Sequence, residues 1–310
     1  MPLLFLNEKS WATACDRPRA DAAMAGFVDV VRAVAKEDPT DTSLVSEVDL
    51  KALEVAEGYS IGKWIGSSPK NHARWQRLLS LRNRSPIRSV YPAPDADGNL
   101  EYRHHGDVAL GLGAAHFMDG MAVSLPVAPQ WEAPFVILDR SELVELDDGT
   151  LKVEHANVEA RHLSAVPHAD DHRSWIRESS LARAATGRQI WERKDGLYPH
   201  LQFLPCTEAM LTGLDPHWIV PVRRCLERLE AAVALWDPET RPEPEWQTKV
   251  TPESRTRKKV CWFSDMDGFT RLFELHARFT PGMGRVYFRL VPEERGIRLA
   301  HIGSKIRPDL

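Results

Sequence analysis

Two strand-like runs at the carboxyl end constrain this chain more than any other stretch. RVYFRLV (Arg285 to Val291) and IRLAHIGSKI (Ile297 to Ile306) are rich in Val, Ile, Tyr and Phe, and Pro-Glu-Glu-Arg-Gly separates them. That pattern predicts a β-hairpin. Period two places Arg285, Tyr287 and Arg289 on one face of the first strand and Val286, Phe288 and Leu290 on the other. On the second strand it sets Arg298 opposite Ile297, Leu299 and His301. The expectation is an apolar face backed by one that presents guanidinium groups around a tyrosine, which is how a small sheet would hold a polyanion.

Charge points the same way. The formal net charge is −4, yet residues 249–310 carry thirteen basic and seven acidic side chains, so +6 there leaves −10 for the first 248 residues. Such asymmetry points to nucleic-acid contact by the basic part. A basic domain docked on an acidic one would show it equally. With 43% hydrophobic and 27% charged residues the chain reads as globular, and 310 residues are enough for two domains. Ten Trp and twenty-two Pro argue for compact, loop-rich cores and against disorder.

Four cysteines (Cys15, Cys206, Cys225, Cys261) lie far apart, without the paired spacing of a zinc site or a disulfide framework. Buried thiols in a reducing compartment are expected. MPLLFLNEKSW lacks the basic start of a signal peptide, and no apolar run approaches the roughly 20 residues that span a bilayer. The expected location is cytoplasmic, with no membrane partner.

Along the chain, Pro2 to Asn7 reads as a buried strand, and Arg19 to Lys36 as an amphipathic helix that Asp38-Pro39 stops. Ser43 to Leu50 is strand-like. Asn71 to Leu81 is helical among Lys70, Arg74, Arg77, Arg82, Arg84 and Arg88, either a solvated face or a second phosphate-contacting surface. Tyr91 to Asn99 is an exposed Pro/Asp/Gly turn. Gly111 and Gly113 resemble the start of a dinucleotide loop, but no third glycine follows at the required place, so a small-residue helix packed closely on a neighbour is predicted. Pro134 to Val158 reads as two strands around an Asp-Asp-Gly turn, and helices are expected over 171–188 and 218–236. Four prolines between Asp237 and Pro252 suggest a semi-rigid connection. The expected fold is therefore α+β: helices and antiparallel hairpins in a domain over 1–237, a connection over 238–252, and a small basic domain over 253–310.

Other chemistry is weaker. His155, His162, His168 and His172 lie near Asp170 and Asp171, but their spacing fits no metal motif and Pro167 breaks any common helix, so hydrogen-bonded histidines are expected and no metal. No Gly-x-Ser-x-Gly elbow is present, and the GKW at Gly62 lacks the surroundings of a phosphate-binding loop. No cofactor is expected.

The segment FTRLFELHARFTPGMGRVYFRLVPEERGIRLAHIGSKI resembles the compact barrels of the RelE/HigB-type toxins. The matching parts are an Arg-Val-Tyr-Phe-Arg strand, a charged turn and a closing strand that ends in His-x-Gly-x-Lys, about a fifth of the chain. That resemblance implies a small α/β fold whose sheet carries Arg, Lys, His and Tyr and cleaves mRNA without metal. Arg278, Arg285 and Arg289 would then clamp phosphate with Arg298 beside them, Tyr287 or His301 would move protons, and Lys305 would stabilise charge. Solvated arginines paired across the strands with Glu293 and Glu294 are the plainer alternative. Two functions follow. One is a bacterial nucleic-acid effector, a toxin or phage-defence endonuclease with RNA as the favoured target. The other is a non-catalytic adaptor in a multi-protein assembly, as a homo-oligomer or complex subunit.

Overall fold

The computed structural model describes residues 3–37, 42–87, 100–145, 150–182, 186–279 and 283–306. The Asp38-Pro39 stop, the Tyr91–Asn99 turn and the Asp-Asp-Gly turn lie outside the described residues. The fold is α+β and forms two compact units, the first spanning Met1–Leu143 and Val153–Arg183, the second Val144–Lys152 and Ala184–Leu310.

In the first unit, β1 (Leu3–Leu6) is wholly buried and leads into α1 (Arg17–Glu37), whose Met24, Phe27, Val28, Val31 and Val34 form the expected apolar stripe. β2 (Ser43–Val45) returns parallel to β1. A small antiparallel pair, β3 (Glu54–Ala56) and β4 (Tyr59–Ser60), precedes α2 (Ile61–Gly66) and α3 (Pro69–Leu79), each capped by a serine hydroxyl. The second basic cluster follows α3: Trp75 and Leu78 face inward while Lys70 and Arg77 are exposed. β5 (Arg82–Arg84), β6 (Leu100–His104), β7 (Asp107–Val108), α4 (Leu110–Phe117), β8 (Met121–Val123), β9 (Phe135–Glu145), β10 (Leu151–Leu163), α5 (Val166–Asp171) and α6 (Arg173–Ala182) follow.

The sheet order is β5-β2-β1-β8-β10-β9-β6-β7, and its first five strands run parallel. Counted along the chain, those five read third, second, first, fourth, fifth, the doubly wound order, which reverses between β1 and β8. The expectation of antiparallel hairpins covered only the β6–β7 side. The parallel half was hidden because four of its five strands are three or four residues long. α4 confirms the close packing read from Gly111 and Gly113: a Cβ on Gly111 would sit 1.9 Å from the Leu6 carbonyl oxygen, and one on Gly113 2.7 Å from Tyr102.

In the second unit, α7 (Gly187–Leu197), β11 (Leu201–Phe203), α8 (Thr207–Thr212) and α9 (Pro216–Ala234) precede β12 (Val250–Pro252), β13 (Trp262–Ser264), β14 (Thr270–Leu272), β15 (Leu275–Phe279), β16 (Gly284–Val291) and β17 (Gly296–Ser304). The main sheet runs β11-β17-β16-β15-β12, with β16–β17 the expected hairpin. Its apolar face, with Val286, Phe288, Ile297, Leu299 and Ile302, packs with Val222, Leu226, Leu229 and Val233 of α9 in one core.

The domain boundary expected at 238–252 therefore falls inside this unit. β11 pairs with β17, and Trp246 packs on Phe288 at 5.4 Å between ring centroids. A 253–310 domain would lack the helices that cover its sheet. The charge asymmetry is largely absorbed as well. The +6 of residues 249–310 meets −3 from 184–248 and −2 from 144–152, leaving +1 for the unit.

Candidate functional site

The polar face of the five-stranded sheet collects nearly all the side chains singled out from the sequence. Pairing aligns Thr251, His276, Tyr287 and His301 in one row across β12, β15, β16 and β17. Gln202, Arg298 and Arg289 form a second row, and Arg278 faces Arg285 in a third. His301 reaches this face through a bulge. Tyr287 pairs with His301 but Phe288 with Leu299, so Ala300 is the extra residue and the side-chain alternation shifts by one. The expectation that His301 shares the apolar register of Ile297 and Leu299 is corrected accordingly.

The face is not open. The chain between β12 and β15 folds over it, and Phe273 packs with Leu204 and Ala300 against it. Tyr287 is fully buried and Arg285 and Arg298 are nearly so. The expected open array of phosphate clamps is corrected: the chain's own acids hold two of its arginines. The Asp265 side chain has no exposed surface and takes Arg289 at 2.6 Å, Arg298 at 2.8 Å and Arg271 at 3.2 Å. Arg298 also donates to Glu294 at 2.9 Å and Gln202 at 2.7 Å. Burial alone would raise the Asp265 pKa, but hydrogen bonds from Arg298, the Met266 amide and Arg289 hold it below its ordinary value.

The other end of the face is a buried tyrosine–carboxylate–histidine group. The Tyr287 hydroxyl donates to Glu253 Oε2 at 2.9 Å, and Arg257 Nε lies 3.2 Å from Glu253 Oε1. Burial pushes the tyrosine pKa up, and the Glu253 carboxylate adds to this. Against burial, the Tyr287 hydroxyl, the Ser254 amide and Arg257 hold Glu253 below the usual carboxylate range. Both His276 and His301 flank the Tyr287 ring, at 5.4 and 5.7 Å between centroids. His301 Nε2 donates to the Ser304 carbonyl at 2.8 Å, and burial lowers its pKa. Half-buried Lys305 follows β17, its amide donating to the Met283 carbonyl. Arg278 is half-buried on β15. The expected proton movers thus meet, but inside a hydrogen-bonded network.

Beside the Asp265 centre lies a cleft of about 860 Å³ lined by Trp191, Tyr198 and Phe203 together with charged side chains. Four are cations (Lys194, Arg271, Arg289, Arg298) and five are acids (Asp195, Glu208, Asp267, Glu293, Glu294), so the cleft is not a basic groove. The β13–β14 hairpin contributes Met266 and Asp267 to this lining, and its Trp262, Met266 and Phe269 are exposed by 54, 52 and 69%.

The first unit holds a second polar network, at the carboxyl ends of β1 and β8. Asn7 Nδ2 donates to Ser124 Oγ at 2.9 Å, and Ser124 Oγ lies 2.7 Å from His162 Nε2. His162 Nδ1 donates to the Ala133 carbonyl at 2.7 Å, which leaves Nε2 to accept the serine proton. All three side chains are completely buried, and burial lowers the His162 pKa to about 4. His172 bonds the Pro134 carbonyl and His168 the Ser164 amide, as expected of structural histidines. Among the described residues no group of three or more His, Cys, Asp or Glu side chains is placed to hold a metal ion. Burial pushes the Cys225 and Cys261 thiols up to about 12 and about 11, out of the reactive range.

Glu253 and Asp265 organise this site, and sequence reasoning missed both because it counted them only as charges to subtract. Their signal was there: acids isolated in a strongly basic segment, Glu253 four residues before Arg257 and Asp265 six before Arg271. No family model matches the chain, and neither the curated proteins nor the solved structures gave a match.

Proposed function

We propose that this chain is a non-catalytic scaffold or adaptor that works by binding protein. The observation that carries the reading is the buried Asp265 carboxylate with three guanidinium groups around it. Phosphate recognition needs those groups free to exchange counterions for a nucleic acid. Here they are spent on holding a hairpin in place. The exposed Trp262, Met266 and Phe269 add apolar surface of the residue types that dominate protein interfaces.

The competing reading, metal-independent RNA cleavage, draws on the RelE/HigB resemblance and on the contact between Tyr287 and His301. One experiment separates them. Purified protein is incubated with labelled RNA, with and without ribosomes, and in parallel is used to isolate partners from its host. The adaptor reading expects intact RNA, no salt-sensitive retention and a stoichiometric protein partner. RNA cleavage that Tyr287→Phe or His301→Ala abolishes overturns it.

A further inference from the structure

We infer that β10 carries an open strand edge by which two copies of this chain join, antiparallel about a two-fold axis through Val153, into one continuous sheet. The edge follows from how β10 is paired. Toward β8 it is matched only at His162 and Leu163, where the Ser124 amide donates to the Leu163 carbonyl. Beyond that point, among the described residues, no strand lies beside residues 151–161 on this side. On its other side β10 meets β9. There the His162 amide donates to the Pro134 carbonyl at 2.8 Å, and Ser141 Oγ lies 2.9 Å from His155 Nδ1. Both contacts fit one register, so no bulge interrupts the ladder between them.

Backbone groups alternate along a strand as side chains do. His162 directs its N–H to β9, so even-numbered residues bond β9 and odd-numbered ones turn their N–H and C=O outward. Leu163, whose carbonyl serves β8, keeps to the same parity. Val153, His155 and Asn157 therefore present their backbone groups to the open side. Natural proteins blunt such an edge with proline, a bulge or a covering segment. Residues 151–159 hold no proline and no glycine, and Leu151 to Asn157 are all exposed, Leu151 by 66% and Val153 by 49%.

Charge selects a second copy as the occupant. Lys152 and Glu154 lie on one face of β10, are exposed, and have no ion-pair partner among the described residues. About an axis through Val153, Lys152 of each copy stands opposite Glu154 of the other, which is the reciprocity a two-fold interface requires. These are non-hydrogen-bonded positions, where facing side chains come closest. On the opposite face Val153 meets its own counterpart and Leu151 meets His155. Axes through Lys152 or Glu154 would set like charges against each other. Axes through His155 or Ala156 would leave both charges opposite uncharged residues.

This pairing goes beyond the adaptor reading, and the two fail separately. A monomer that still captures a foreign subunit leaves the adaptor reading intact, and a dimer that cuts RNA leaves this one. A single edge buries less than a standard interface, so a dissociation constant of about 10 µM is expected. Sedimentation of the full chain should show that dimer, and amide exchange at Val153 and His155 should slow as concentration rises. Lys152→Glu and Glu154→Lys should each weaken it at least about tenfold. An equimolar mixture of these two variants should regain a 1:1 complex, because acid again faces base at both positions. Val153→Pro should abolish the dimer, since it removes only an outward N–H, the one place where a strand accepts proline. Unchanged thermal unfolding would confirm that each variant folds. A wild type that stays monomeric at about 100 µM overturns the inference, as does a dimer that survives Val153→Pro or ignores both charge reversals. So does protection of these amides that arises only with a foreign protein bound.

Discussion

A single carboxylate decides how the basic segment behaves. Asp265 takes Arg289 and Arg298, both expected as ligands for a polyanion, into a clasp that Arg271 completes. Removing it leaves nearly buried guanidinium groups without their counter-charge, so Asp265→Asn should cost about 3 kcal/mol, read as a lower urea midpoint at unchanged slope. His162 makes a pH-dependent contribution of opposite character. Its folded pKa, about 4, lies below the ordinary 6.5, so the unfolded chain takes up a proton first as pH falls. The contribution is whole above pH 6.5 and is lost between 6.5 and about 4, up to about 3 kcal/mol. Urea unfolding across that window should show this loss in the wild type, and His162→Gln should lack it. The histidine type was visible in the sequence, but its burial against Ser124 and Asn7 was not, because those partners lie 38 and 155 residues away.

At the level of elements, local pattern and tertiary demand agree in the helices and part in the last strand. α1 and α9 form where the apolar spacing placed them. β17 follows its period-two pattern only to Leu299, after which the bulge at Ala300 turns His301 to the polar face. Nothing local marks a bulge at an Ala-His pair, and the partner strand sets it. α4 shows the reverse, a sequence signal that was really about contact. Gly111 lets the helix touch β1, and a methyl group there meets backbone that cannot swing aside. Gly111→Ala should therefore cost about 3 kcal/mol, measured as a fall in melting temperature.

Across the whole molecule, the second unit starts far upstream of the proline-rich segment. Half of its core comes from α7, β11 and α9. A fragment covering only 253–310 should thus show no cooperative unfolding by circular dichroism, with its apolar sheet face left in water. Prolines 238 to 252 looked like a linker because proline breaks periodicity. In the folded chain this stretch is anchored, with Trp236 Nε1 donating to the Arg241 carbonyl and Trp246 on Phe288. No helix among the described residues is long and apolar enough to cross a membrane.

By itself the sequence determined the α+β class, the amphipathic helices, the carboxyl-terminal hairpin and, as far as Leu299, which of its residues share the apolar face. Those follow from periodicity, a property of neighbours along the chain. Only the tertiary structure decided the parallel order of the first sheet, the boundary between the units and the fate of the arginines. Each of these depends on which distant segment comes to lie alongside. A count of charges cannot show that an aspartate twenty-four residues from Arg289 will sit buried at its guanidinium.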